Sequence, residues 1–284
     1  MVVQREIENV GVIGLGKMGL PMARHLAAQN FNVTGYDIRA DLAAIAGEAG
    51  FAPVTIPAAL ATTCDLIIVM VAFDSQVEAV LFGPDGIIAE ASTDLTDELV
   101  IAIASTVPAS FVRALPARAA ALDKRVSFID IPVTGAEKAA DEGTLLVLGG
   151  GDKAIFDRCR PALDAVAREV LHLGDLGAGQ VAKMVNNQIL WACVSANYEG
   201  MELAKSMGID PKALRLALLK SSAQNWALQT RADERPLPWA EKDMMVVLQE
   251  ADKVRISLPL AGTVKEVIKG IKIERGLPMP TGDD

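Results

Sequence analysis

The chain has 284 residues, 51% of them apolar and 22% charged, with 27 Lys and Arg against 36 Asp and Glu for a formal charge of −9. That composition excludes a disordered chain, and an acidic balance without long charge runs excludes a nucleic-acid binder, which needs a clustered basic face for phosphates. Three cysteines, Cys64, Cys159 and Cys193, stand far apart without a CxxC pair, beside only two histidines. Neither a disulfide framework nor a metal site suits that spacing, so no metal is expected and each Cys is read as a small buried hydrophobe. The charged start with Arg5, Glu6 and Glu8 is unlike a signal peptide, and apolar runs such as Leu66 to Phe73 are far short of the ~20 residues of a membrane helix. A cytoplasmic protein without a membrane partner is expected.

Over residues 1–174 short apolar runs alternate with longer Ala-rich stretches of helical period, the pattern of a parallel sheet covered on both faces. Strands are predicted at Val10–Ile13, Val33–Tyr36, Leu66–Met70, Leu99–Ala104, Val126–Ile129, Leu145–Leu148 and Val170–Leu173. Helices are predicted at Met18–Gln29, Asp41–Ala49, Ser75–Leu81, Ala109–Leu122 and Lys153–Ala167. The fold class is α/β, a Rossmann-type doubly wound sheet. From residue 175 to 284 the strand signal disappears. One helix runs from Gly179 to Met207 and stops at Gly208, Asp210-Pro211 caps and opens another, and more follow at Trp239–Lys253 and Gly262–Arg275, with Gly276 onward as a tail. This second domain is all helical, and its long apolar helix calls for association.

Gly14-Leu15-Gly16-Lys17-Met18-Gly19 lies between the first strand and first helix, where the glycines permit a tight turn and the approach of a pyrophosphate to backbone N–H groups. Asp37 follows the second strand, placed to accept both adenosine ribose hydroxyls and repel a 2′-phosphate, which favours NAD over NADP. A helix cap is the alternative for Asp37, and Arg39 two positions on works against discrimination. Further along, Lys183 and Asn187 are four residues apart on one helix and share a face. A lysine buried among Val181, Met184 and Val185 would have its ammonium destabilised and could exchange a proton near neutral pH; a surface lysine beside a packing asparagine is the competing reading.

Taken in order, the glycine turn through Ala23, Asp130-Ile131-Pro132-Val133-Thr134-Gly135 with Gly143-Thr144-Leu145 and Gly149-Gly150, the stretch Gly179 to Asn187, and Lys242-Asp243 resemble the motifs of the β-hydroxyacid dehydrogenases. The resemblance spans almost the whole chain. It implies reversible hydride transfer between a nicotinamide cofactor and a short 3-hydroxy acid or its semialdehyde, with Lys183 as general acid and base and Asn187 as its companion. It also implies that Thr134 and Gly135 hold the carboxylate of a small acid substrate. Val71 and Thr106 would meet the cofactor, Lys242 would reach it from the helical domain, and the protein would be a homodimer or homotetramer. Thr134 replaces the usual serine, Ala136 a glycine, Ala72 a proline and Ile103 an aspartate, while the charged, proline-rich segment before Lys242 is shortened. These departures bear on the substrate rather than the cofactor. Imine reduction on the same scaffold is opposed by Lys183, where those relatives usually carry Asp or Tyr. A non-catalytic dinucleotide-binding interaction protein is opposed by the joint presence of Lys183, Asn187 and Thr134.

Overall fold

A computed structural model of the chain describes residues 6–93, 99–230 and 237–278. The expectations for the first five residues, most of the charged segment before Lys242 and the last six residues of the tail lie outside the described residues. The chain divides into two compact units, Met1–Lys183 and Met184–Asp284.

Among the described residues the first unit holds nine strands: β1 (Asn9–Ile13), β2 (Asn32–Tyr36), β3 (Ala52–Pro53), β4 (Leu66–Val69), β5 (Leu99–Ile103), β6 (Val126–Asp130), β7 (Val133–Thr134), β8 (Leu145–Gly149) and β9 (Ala167–His172). Its helices are α1 (Gly19–Ala28), α2 (Leu42–Ala49), α3 (Asp74–Phe82), α4 (Ile87–Glu90), α5 (Ala109–Ala120), α6 (Ala136–Asp141) and α7 (Lys153–Asp164), with a 3-10 turn at Pro57–Leu60. Six strands form a parallel sheet in the order β3-β2-β1-β4-β5-β6, the arrangement of a Rossmann fold, with its switch point between β1 and β4. The central strands read as unbroken apolar runs because both faces are covered. Val10, Val12, Leu66, Ile68 and Val100 point into one core with Met22 and Leu26 of α1, while Ile13, Ile67, Val69 and Ile101 point into the other with Val112 and Leu115 of α5. Truncating one such residue to Ala costs ~2 to 5 kcal/mol.

Two expectations are corrected here. The strands expected at Leu145–Leu148 and Val170–Leu173, present as β8 and β9, do not extend the doubly wound sheet; they pair with each other in parallel, and β7 joins β8 antiparallel, giving a separate three-stranded sheet. A buried strand reads alike in either sheet, so the apolar run alone cannot show which sheet it enters. The helix expected to run to Ala167 ends at Asp164, since Ala167 opens β9.

Helix α8 (Ala178–Ser206) carries the chain from the first unit into the second, where α9 (Pro211–Leu218), α10 (Trp226–Thr230), α11 (Ala240–Lys253) and α12 (Pro259–Glu274) follow. Asp210 caps α9 by accepting from the backbone N–H groups of Lys212 and Ala213, as its sequence position requires. Helix α12 opens three residues earlier than expected because Pro259 occupies the first helical turn, where its missing N–H is not needed. The core of this unit gathers Trp191, Met244, Val247, Val264 and Ile268. Between α11 and α12 the ammonium of Lys272 lies 3.0 Å from the Glu241 carboxylate, both side chains almost wholly buried. Burying either charge alone would be far costlier than burying the pair.

Candidate active site

The turn after β1 shows why three of its residues are glycine. Gly14 has φ +84°, and a methyl group there would sit 2.2 Å from the Met70 carbonyl oxygen; one on Gly19 would sit 1.9 Å from the Gly14 carbonyl oxygen. Gly14 and Gly19 are therefore dictated by the protein's own packing. Gly16 is different, because a methyl group there would meet nothing within 4 Å. Its open side, at the start of α1, is where a pyrophosphate can approach the backbone, so the turn fits a dinucleotide.

Leu15 N–H donates to Asp37 Oδ2 at 2.6 Å and Arg39 N–H to Asp37 Oδ1 at 3.0 Å. Arg39 Nη2 in turn donates to the Leu15 carbonyl at 2.8 Å. Asp37 is thus fastened to the glycine turn rather than to a helix, for α2 begins only at Leu42 after Asp41. That removes the helix-cap alternative. Asp37 also contributes, after burial, to raising the Tyr36 phenol above its ordinary range. Lys17 pairs with Glu137 at 3.1 Å on an exposed surface, and Met18 packs its side chain against the core beside α1. Val71 flanks Gly14, its N–H donating to Ser105 Oγ at 2.8 Å, and Ser105 Oγ donates to the Val69 carbonyl at 3.3 Å. Gly14, Val71 and the Ser105–Thr106 loop accordingly meet at the carboxyl ends of β1, β4 and β5, where open α/β sheets bind ligands.

Lys183 Nζ donates to the Val133 carbonyl at 2.6 Å, next to Thr134 and Gly135. Thr134 ends β7 and is half-buried. Gly135 has φ +117°, and a side chain there would run into Ala139. The following Ala136 also takes a positive φ, +60°, so the chain keeps a glycine-like backbone without the glycine. Lys183 is not enclosed by valines as its sequence suggests, since Val181 and Val185 are exposed and the ammonium instead meets a backbone carbonyl. Asn187, one turn further along α8, is buried and accepts at Oδ1 from Asn186 Nδ2 at 3.0 Å. In the second unit, Lys242 stands in the first turn of α11 between the buried Glu241 and Asp243, and Asp243 accepts from the Trp191 indole at 2.9 Å.

Two polar residues that lie in the motifs without a role assigned to them, Asp130 and Gln180, hold α8 in place. Asp130, fully buried at the end of β6, accepts from Gly177 N–H at 2.6 Å and Gln180 N–H at 2.7 Å, capping the start of α8 from a distant part of the chain. Burial pushes the Asp130 carboxyl up, opposed by those backbone donors and by Arg113. Gln180, also fully buried, donates from Nε2 to the Ser105 carbonyl at 2.8 Å and accepts at Oε1 from Val107 N–H at 3.1 Å. The sequence signal was a lone carboxylate closing an apolar strand, and a glutamine in the first turn of an apolar helix start. Cys64 and Cys159 are buried, and burial raises the Cys64 thiol to about 11, so it is protonated at neutral pH. A surface cavity of about 580 Å³ lined by His25, Phe31 and Glu142 contains none of the candidate residues.

Known proteins resemble the chain over nearly its whole length. Residues 9–174 match the model described as the NAD binding domain of 6-phosphogluconate dehydrogenase, and residues 177–277 that described as NAD-binding of NADP-dependent 3-hydroxyisobutyrate dehydrogenase. An L-threonate dehydrogenase of Cupriavidus necator is 33% identical, with 91% of this chain and 89% of the relative covered. The chain belongs to the β-hydroxyacid dehydrogenase family. A 2-hydroxy-3-oxopropionate reductase of Escherichia coli, 30% identical over 91% of this chain and 89% of its own, is another relative. Among solved structures, a Mycobacterium tuberculosis 3-hydroxyisobutyrate dehydrogenase described with L-serine has a TM-score of 0.82 at 25% identity, covering 94% of each chain. A Streptomyces aurantiacus imine reductase, at 19% identity and TM-score 0.63 with 95% and 96% coverage, shares the fold alone. As a β-hydroxyacid dehydrogenase the chain is an oxidoreductase that takes a nicotinamide dinucleotide, and its relatives act on small hydroxy acids. No helix among the described residues is long and apolar enough to cross a membrane.

Proposed function

We propose that the chain interconverts a short 3-hydroxy acid and its semialdehyde with NAD, using Lys183 for the proton. The observation that carries this is the Lys183 Nζ contact with the Val133 carbonyl, which puts the ammonium beside the Thr134–Gly135 turn. The cofactor, when bound, takes up or gives the hydride. In the oxidation neutral Lys183 accepts the hydroxyl proton; in the reduction protonated Lys183 polarises the carbonyl and returns that proton to its oxygen. Thr134 Oγ1 and the Gly135 N–H donate to the substrate carboxylate, and Asn187 orients the acid. Fixing the carboxylate at that turn sets its distance from the reacting carbon, which selects a short acid. Ala136 in place of the family's glycine narrows the pocket by a methyl group.

NAD is preferred to NADP on the strength of Asp37, whose carboxylate faces the ribose position from the end of β2 and would repel a 2′-phosphate. Arg39 is engaged with Asp37 and the Leu15 carbonyl. The exposed residues Val181, Val185, Ile189 and Leu203 on α8 support a homodimer or homotetramer. Light scattering at micromolar concentration should return at least twice the 30.0 kDa monomer mass, and a monomer mass would contradict it. The reaction itself is tested by a spectrophotometric screen of hydroxy acids and semialdehydes of three to five carbons with both cofactors. Turnover of a 3-hydroxy acid is expected, and no turnover of any of them would overturn the proposal.

A further inference from the structure

We infer that Gln180 is a positioning residue for the transfer step, its side chain tying the helix that carries Lys183 to the loop that carries Thr106. This rests on the hydroxyacid reading above and adds a residue that touches neither substrate nor cofactor. Gln180 uses both ends of its amide: the Nε2 bond to the Ser105 carbonyl and the Oε1 bond from Val107 N–H bracket Thr106 on either side. Its own backbone N–H is held by Asp130, so the residue is fixed at the main chain and at the tip of the side chain.

The surroundings leave this arrangement little freedom. Gln180 is fully buried, and a methyl group on neighbouring Gly179 would lie 2.2 Å from the Leu148 carbonyl oxygen, so α8 is pressed against β8 at this point. Buried amides with both poles satisfied hold a single orientation, because any rotation leaves a donor facing a donor. Lys183 is three residues on, less than one turn of the same helix. A shift at Gln180 therefore travels through the helix backbone to the ammonium, while the same loss releases the peptide groups on both sides of Thr106. The Lys183 site and the Thr106 loop are thereby referenced to one side chain. Misplacement by ~1 Å at a distance from the chemistry can cost ~10²-fold in rate.

The test compares wild type with Gln180→Met, which is close in volume and makes neither bond. Measured are kcat and KM for the best hydroxy acid, the dissociation constant of the reduced cofactor, and the isotope effect with substrate deuterated at the carbinol carbon. The variant should lose ~10- to 10²-fold in kcat and bind cofactor within about threefold of wild type. Its isotope effect should rise, since transfer has slowed relative to release. A folded variant with kcat within about twofold and an unchanged isotope effect would overturn the inference. If Met at this position prevents folding, Gln180→Glu, nearly isosteric and retaining the acceptor for Val107 N–H, is held to the same criteria. A wild type that turns over no hydroxy acid would instead contradict the functional reading itself, so the two failures are distinguishable.

Discussion

Lys183 and Val133 are fifty residues apart in sequence, yet the Lys183 ammonium donates to the Val133 carbonyl at 2.6 Å. The contact joins two elements that the apolar pattern treats separately: the start of α8 and the short strand β7. It puts the one basic group of the Gly179–Asn187 stretch beside the turn that begins at Thr134. The chemistry assigned to this chain depends on that juxtaposition.

Thr134 is the first place to test it. Thr134→Val keeps the branched shape and deletes the hydroxyl, so a substrate carboxylate would lose one donor. The expected cost is ~1.5 to 3 kcal/mol in kcat/KM, with the unfolding midpoint close to wild type. Steady-state kinetics on the best hydroxy acid decides, and an unaltered kcat/KM would remove Thr134 from the substrate.

Ala136 makes a prediction about stability instead. Its φ of +60° places an L side chain in the left-handed region, at a cost of ~1 to 2 kcal/mol that glycine does not bear. Glycine gives back ~0.4 to 1 kcal/mol through the greater freedom of its unfolded chain. Ala136→Gly should therefore stabilise the protein by up to ~1.5 kcal/mol in denaturant unfolding. A destabilised variant would show that the methyl group packs usefully where it stands.

Cofactor choice turns on Asp37. Two unit charges ~4 Å apart repel by about 4 kcal/mol at an effective dielectric near 20, before screening, so a ~10²-fold preference for NAD in kcat/KM is expected. Because Asp37 also accepts from Leu15 N–H, Asp37→Ala should weaken NAD while loosening the glycine turn, narrowing the preference mainly from the NAD side. The ratio of kcat/KM for the two cofactors, measured for both proteins, checks this. A wild-type ratio at or below one would put Arg39 in control.

Much of this architecture was legible from local pattern. The glycine turn sits where an apolar strand meets an Ala-rich helix; Gly19 is required by a contact within the turn, with Gly14, whereas Gly14 is required by the Met70 carbonyl at the end of β4. Long apolar runs identified β1, β4 and β5, whose burial on both faces leaves no alternation. What was not legible is pairing. The two-residue strands β3 and β7 are too short to have a period, and β8 and β9 form their own sheet through register contacts that no apolar run records. In the site, Lys183 and Thr134 stand out because their side chains carry recognisable chemistry within the motifs. Asp130 and Gln180 lie in the same motifs but gain no legible role there, because their roles are defined by partners on other elements: the two backbone donors at the start of α8 for one, the Ser105 and Val107 peptides for the other.

The most direct test of the account is the turnover of a short 3-hydroxy acid with NAD by wild type and Lys183→Ala side by side, with cofactor binding measured on both. General acid and base catalysis is typically worth ~10²- to 10⁴-fold, so the variant should lose that much in kcat while its cofactor affinity stays nearly unchanged. A Lys183→Ala protein that kept more than about half of the wild-type kcat would contradict the account.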